Sequence, residues 1–244
     1  HVTVPEGATA VAAGLTADAT VTNDYVPGAL HVEKIVNLNG VIGMPIIPNF
    51  EITITGPSYP QGNTHSFTYP NGLNYTWMNL IPGTYAISEG TLGAEWHVVV
   101  QAGTTEVISG ETAHAEVIND YVPGALRVTK VIDWNDVIGS PMVPDFMITI
   151  TGPSYPTGDT KIFNEANGYV QTWMNLIPGD YEVTEGTLGA VWHITVPMDD
   201  VAVLAGQTAD AMVTNDYVPG ALRVTKVIDW NDVIGSPMVP DFSI

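Results

Sequence analysis

The chain has 244 residues, with 26 Asp and Glu against six Lys and Arg, for a net charge of −20. So acidic a balance argues against nucleic acid and anionic membrane surfaces as partners, and is equally compatible with a soluble, self-repelling surface protein and with a salty habitat. Cysteine is absent, which excludes disulfides, and no apolar run is long enough to span a membrane as a helix.

One stretch recurs three times. Asn-Asp-Tyr-Val-Pro-Gly-Ala-Leu begins at Asn23, Asn119 and Asn215, at a constant spacing of 96 residues. Val41 and Val137, Trp77 and Trp173, Trp96 and Trp192, and His1, His97 and His193 keep the same offset. The repeat divides the chain into the closing part of a unit (1–26), two complete units (27–122 and 123–218) and the opening of another (219–244). A complete unit is large enough to bury its own core. Interrupted units at both ends read as a fragment of a longer tandem array.

Val, Ile and Thr dominate the runs between turns, which favours strands. In residues 1–26, strands are expected over 1–4 and 17–25. The first complete unit opens with a strand over 30–36 and a turn at Asn37-Leu38-Asn39-Gly40. Pro45 and Pro48 make the next segment an edge or irregular strand. Residues 50–55 alternate and stop at Gly56-Pro57; a loop carrying Pro60, Gly62, Pro70 and Gly72 follows. Strands are then expected over 75–80, over 85–89 after the Pro82-Gly83 turn, and over 96–100, 105–109 and 113–121. The second unit repeats this order, diverging most at 159–171 and 197–208. Residues 222–226 start a further first strand. Short, regularly spaced strands predict a sandwich or a barrel, and no helical periodicity of useful length is present.

Side chains of a strand alternate between faces. In the first strand Leu30, Val32 and Val36 share a face with Lys34; the later copies are Leu126, Val128, Lys130, Ile132 and Leu222, Val224, Lys226, Ile228. Three of the four lysines occupy this inward position. Tyr85 and Ile87 share a face with Glu89, as Tyr181 and Val183 do with Glu185. Ala115 and Val117 share a face with Asn119, as Ala211 and Val213 do with Asn215 and Ala19 and Val21 with Asn23. Each complete unit therefore sends one Lys, one Glu and one Asn inward.

Burying either charge alone costs several kcal/mol or more, so the three are expected to meet. One outcome is a buried ion pair with Asn as its hydrogen-bond partner. The other is chemistry. Desolvation lowers the Lys pKa and raises the Glu pKa, so a proton can pass between them and leave a neutral amine. That amine can attack the Asn carbonyl, polarised by the acid; ammonia leaves and an isopeptide bond remains. Proximity supplies roughly 7–11 kcal/mol towards such a step, and a desolvated lysine is an activated nucleophile.

The ordered set resembles the Cna B-type domain of bacterial surface adhesins and pilins. The matching residues are Val32-Glu33-Lys34, Pro82-Gly83-Thr84-Tyr85 through Glu89, and Asn119; in the second unit they are Val128-Thr129-Lys130, Pro178-Gly179-Asp180-Tyr181 through Glu185, and Asn215. Gly90-Thr91-Leu92 and Gly186-Thr187-Leu188 follow the Glu, where the family often has Thr and a Pro-rich segment. The resemblance implies an all-β chain of tandem Ig-like or transthyretin-like sandwiches, seven-stranded or similar. It implies Lys34–Asn119 and Lys130–Asn215 crosslinks promoted by Glu89 and Glu185. Asn23 and Lys226 belong to incomplete sets. It also implies an extracellular, cell-surface location and a structural role as a stalk or fibre, with no cofactor and no enzyme activity beyond the single self-directed turnover. Partners would be neighbouring repeats, other chains of a fibre, or an unknown surface ligand. A carbohydrate- or protein-binding module using the variable loops is the alternative.

Other candidates read more plainly. His97 and His193 follow Trp in a strand and lack further recurring metal ligands. Asp133-Trp134-Asn135-Asp136 and Asp229-Trp230-Asn231-Asp232 could hold calcium, but Asn37, Asn39 and Gly40 stand there in the first unit, which favours a turn. Trp77 and Trp173 are expected in the core or between units. Asn74-Tyr75-Thr76 fits a glycosylation acceptor, but Val170 replaces Asn in the next unit.

Overall fold

The computed structural model describes residues 2–100, 103–239 and 241–243; His1 of the expected first strand lies outside them, as do Gln101 and Ala102 of the variable loop. Near the N-terminus, β1 (Val2–Thr3) pairs antiparallel with β2 (Thr22–Asn23), placing Val2 opposite Asn23. Eight strands follow: β3 (Gly28–Asn37), β4 (Phe50–Gly56), β5 (Tyr59–Phe67), β6 (Asn74–Leu80), β7 (Gly83–Glu89), β8 (Trp96–Val100), β9 (Thr104–Val107) and β10 (Thr112–Tyr121). Eight more repeat them: β11 (Gly124–Asp133), β12 (Phe146–Gly152), β13 (Tyr155–Phe163), β14 (Val170–Leu176), β15 (Gly179–Glu185), β16 (Trp192–Thr195), β17 (Val201–Val203) and β18 (Thr208–Tyr217).

Each set of eight forms two four-stranded sheets, β6-β3-β10-β8 facing β5-β4-β7-β9, and β14-β11-β18-β16 facing β13-β12-β15-β17. The first and last strands of a unit run parallel at the centre of one sheet, with Lys34 opposite Val117 and Val36 opposite Asn119. Lys130 opposite Val213 and Ile132 opposite Asn215 repeat that register. Between the sheets the alternating faces close on Leu30, Val32, Phe50, Ile52, Trp77 and Tyr85, and on their counterparts in the second sandwich. Gly28 opens β3 because no side chain fits: a Cβ there would lie 2.5 Å from Val107 Cγ1 and from the Ile108 carbonyl.

Several expectations are corrected. Residues 59–67, read as loop because of Pro60 and Gly62, form β5. It lies at the end of its sheet, where a missing N–H and a flexible Gly cost little. Residues around Pro45 and Pro48 form no strand; only an isolated bridge at Ile42 remains. Residues 17–25 shrink to the two-residue β2. The stretch 222–226 is exposed and forms no strand among the described residues. In the complete units that strand is held by partners 41 and more residues later in the chain, farther along than residues 219–244 extend. Each sandwich has eight strands, in keeping with the expected seven or a similar number. The divergent loop of the second unit contains a single 3-10 turn, Glu165–Asn167.

Candidate functional site

Lys34 comes from β3, Glu89 from the end of β7 and Asn119 from β10. All three side chains enter the space between the sheets, because period-two alternation aims them along the same faces as the core residues. Lys34 is 1% and Asn119 0% exposed, and the Glu89 side chain is fully covered. Lys34 Nζ lies 3.4 Å from Glu89 Oε1 and donates to the Val117 carbonyl at 3.3 Å. Asn119 Nδ2 donates to the same Glu89 Oε1 at 3.1 Å. One carboxylate oxygen thus bridges the amine and the amide.

The second unit brings the same three groups together, but through both oxygens of its carboxylate. Lys130 Nζ lies 3.5 Å from Glu185 Oε2, and Asn215 Nδ2 donates to Glu185 Oε1 at 3.2 Å. Lys130 Nζ also reaches the Val213 and Val131 carbonyls at 3.4 Å.

Burial governs the protonation of these groups. Desolvation lowers both lysines to about 8, against the opposing pull of the nearby Glu. Desolvation raises Glu89 and Glu185, opposed by the same lysines and by the Asn hydrogen bonds. Each pair is therefore pushed towards a neutral amine and a neutral acid. The amide orientation differs from the expectation that the acid polarises the carbonyl. It is the nitrogen that meets Glu89, since an ionised carboxylate accepts and cannot donate. Asn119 Oδ1 and Asn215 Oδ1 are buried and have no hydrogen-bond partner among the described residues.

Sequence reasoning missed the lid over the amine. Lys34 Nζ sits 4.6 Å above the centre of the Phe50 ring, and Lys130 Nζ 4.7 Å above that of Phe146. Edge-on contacts with Trp96 and Trp192 hold those rings. The available signal was that Phe50, Phe146 and Phe242 each follow a repeated Lys by 16 residues. Even Lys226, exposed, stacks on Phe242 at 4.5 Å. Asn23 lies exposed on β2, so neither member of the incomplete sets is in a core.

The remaining candidates are accounted for locally. Trp77 and Trp173 are core residues whose Nε1 donates at 2.7 Å to Asn63 and Asp159. Asp133 accepts from the Asn135 amide at 2.9 Å in a turn, with Asn135 and Asp136 at positive φ. His97 is exposed, and His193 contacts Asp216 at 3.4 Å.

Fold and site together define a tandem β-sandwich protein with a dry Lys–Glu–Asn centre in each complete sandwich. No family model and no curated protein matches the sequence. Among solved structures, the chain is similar to the Bacillus anthracis TIE protein, with 19% identity and a TM-score of 0.55 over 83% of this chain and 37% of that one. The chain thus spans little more than a third of that structure. It also matches a single B repeat unit (B1) of the collagen-binding surface protein CNA of Staphylococcus aureus, with 19% identity over 79% of this chain and 100% of that one, TM-score 0.33. A third match is the major pilin protein T3.2 of Streptococcus pyogenes, with 13% identity over 78% and 98%, TM-score 0.48. At these identities the likeness is one of fold, and it is carried by the Bacillus anthracis TIE protein, the one of the three with a TM-score above 0.5.

Proposed function

We propose that the chain is a stalk or fibre segment of an extracellular, cell-surface repeat protein, built from the complete units 27–122 and 123–218. Each unit is locked by an isopeptide bond, Lys34 to Asn119 and Lys130 to Asn215. The observation that carries this reading is the shared oxygen: Glu89 Oε1 is 3.4 Å from the nucleophilic amine and 3.1 Å from the amide nitrogen that must leave.

Glu89 takes a proton from the Lys34 ammonium. The freed Nζ attacks Asn119 Cγ and forms a C–N bond. The Cγ–Nδ2 bond breaks as Glu89 returns the proton to Nδ2, and a second proton passes from Nζ to the same leaving nitrogen. The leaving nitrogen departs as ammonium, and ionised Glu89 is regenerated. The Phe50 ring keeps water from the amine while the step proceeds.

The structural consequence is mechanical. β3 and β10 are the first and last strands of the unit, so a bond between them carries tension covalently across the sandwich. The resemblance of the ordered Lys, Glu and Asn motifs to the Cna B-type domain supports the same role. Neighbouring repeats, and other chains of a fibre, are the partners of such a segment.

Intact mass tests the proposal. The chain is expected to weigh less than its sequence by two molecules of ammonia, about 17 Da each. Lys130→Ala removes one loss and leaves the other. A chain at full sequence mass overturns the reading.

A further inference from the structure

The loop after the first strand of each unit has nearly the same sequence in both units but different surroundings. In the first unit Ile42 bridges to Leu176 of the second, and its amide donates to the Asn175 carbonyl at 2.7 Å. A Cβ on Gly43 would lie 3.1 Å from Ile177 Cδ1 and 3.2 Å from Ser154 Cα, so glycine permits the close approach. The repeat supplies its own control. Ile42 is half-buried, whereas its equivalent Ile138 is 100% exposed. On the receiving side Ile177 is half-buried and Ser154 buried, whereas Ile81 is 45% exposed and Ser58 half-buried.

The backbone is the same in both settings. Asn79 and Asn175 both have φ 57, and Gly43 and Gly139 both have positive φ. The chain therefore contains one assembled contact and, apart from it, a second copy of each half. In the loop 137–144 of the second unit Ile138, Gly139, Ser140, Met142 and Val143 are exposed, and at the corner of the first unit Asn79 and Ile81 are exposed beside the buried Leu80.

We propose that these two halves form an interaction surface for a second copy of this chain, with Ile138 docking on the Asn79 corner as Ile42 does on Asn175. The occupant is argued from the chain itself, in which the same loop already sits on the same corner. The two surfaces differ, so the contact is heterologous and leads to a linear string rather than a closed dimer. Within the chain, Val122 and Pro123 link the units and hold the contact at the roughly millimolar effective concentration of a short linker. Between copies that help is absent, so association belongs in the millimolar range and strengthens with salt as the like charges are screened. The inference is independent of the crosslinks, whose state intact mass reads separately.

Nuclear magnetic resonance of the isotope-labelled full chain tests it, from about 0.05 to about 2 mM, a range chosen to bracket that effective concentration. The Ile138 amide and methyl signals are expected to move with concentration, and the amide to exchange several-fold more slowly at the upper end. Ile42 should be protected throughout, and Ile138→Asp should abolish the concentration dependence. Ile138 signals indifferent to concentration overturn the proposal. So does an Ile42 amide that exchanges as fast as that of Ile138 in dilute solution, because the template contact is then not formed. Association that survives Ile138→Asp overturns it as well.

Discussion

Asn119→Ala removes the electrophile of the first unit and leaves Lys34 and Glu89 in place. The joined residues are 85 apart in the sequence, so the bond keeps a loop of that size closed in the unfolded chain. Closing such a loop removes about 15 cal/mol/K of entropy, which contributes roughly 4.5 kcal/mol at 25 °C. In a chain without the bond, the variant would lose instead the hydrogen bond from Asn119 to Glu89, 3.1 Å long, which contributes about 1.5–3 kcal/mol because its acceptor can be charged. One kcal/mol moves the melting point of a unit this small by about 4–8 °C. The crosslink alone therefore accounts for roughly 20–35 °C. Calorimetry of the variant, paired with intact mass, should show the melt split in two, with the unaltered second unit as internal reference. Loss of the hydrogen bond alone produces roughly 6–24 °C, so a shift below about 20 °C, short of what the crosslink contributes, or a parent chain that has kept its ammonia would refute the loop-closure reasoning.

Glu89→Gln retains the shape of the centre but cannot relay a proton, so the first unit should keep its ammonia while the second still loses its own; mass spectrometry after cleavage between the units reads this. In Asn119→Ala the free Lys34 titrates. Burial holds its folded pKa at about 8, below the ordinary lysine value of 10.5, so above pH 8 the unfolded chain holds the extra proton and stability rises with pH. The rise should be on the order of 2 kcal/mol between about pH 8 and 9.5. It is read below pH 10 because burial raises Tyr121 and Tyr181, whose titration acts in the opposite sense. The parent chain, its amine consumed, should be flat over this window, and a flat variant would contradict the buried free amine. Gly28→Ala forces a methyl to 2.5 Å from Val107 and the Ile108 carbonyl and should cost about 1–3 kcal/mol in denaturant unfolding; an unchanged midpoint counts against this packing. Tyr181→Phe removes an O–H that donates within 2.9 Å of both Ser154 Oγ and the Ile177 carbonyl and accepts from the Ser154 amide. Its loss should cost about 1–3 kcal/mol, measured the same way.

The inward Lys, Glu and Asn were legible because alternation is a local property of the backbone. Once Leu30 and Val32 face the core, Lys34 must face it too, whatever the rest of the chain does. The 96-residue spacing likewise exposed the two complete units and the order of their strands. Other features depend on partners distant in sequence. Proline and glycine made residues 59–67 look like loop, and only a place at the sheet edge lets them form β5. The strand-like pattern at 222–226 is as good as that of β3, but without its neighbours across the sheet it pairs with nothing. The Phe50 lid, the turning of the Asn119 nitrogen towards Glu89 and the seating of Ile42 on the second unit were decided by tertiary structure alone. Periodicity specifies which way a side chain points, whereas what it meets there depends on segments brought together by folding.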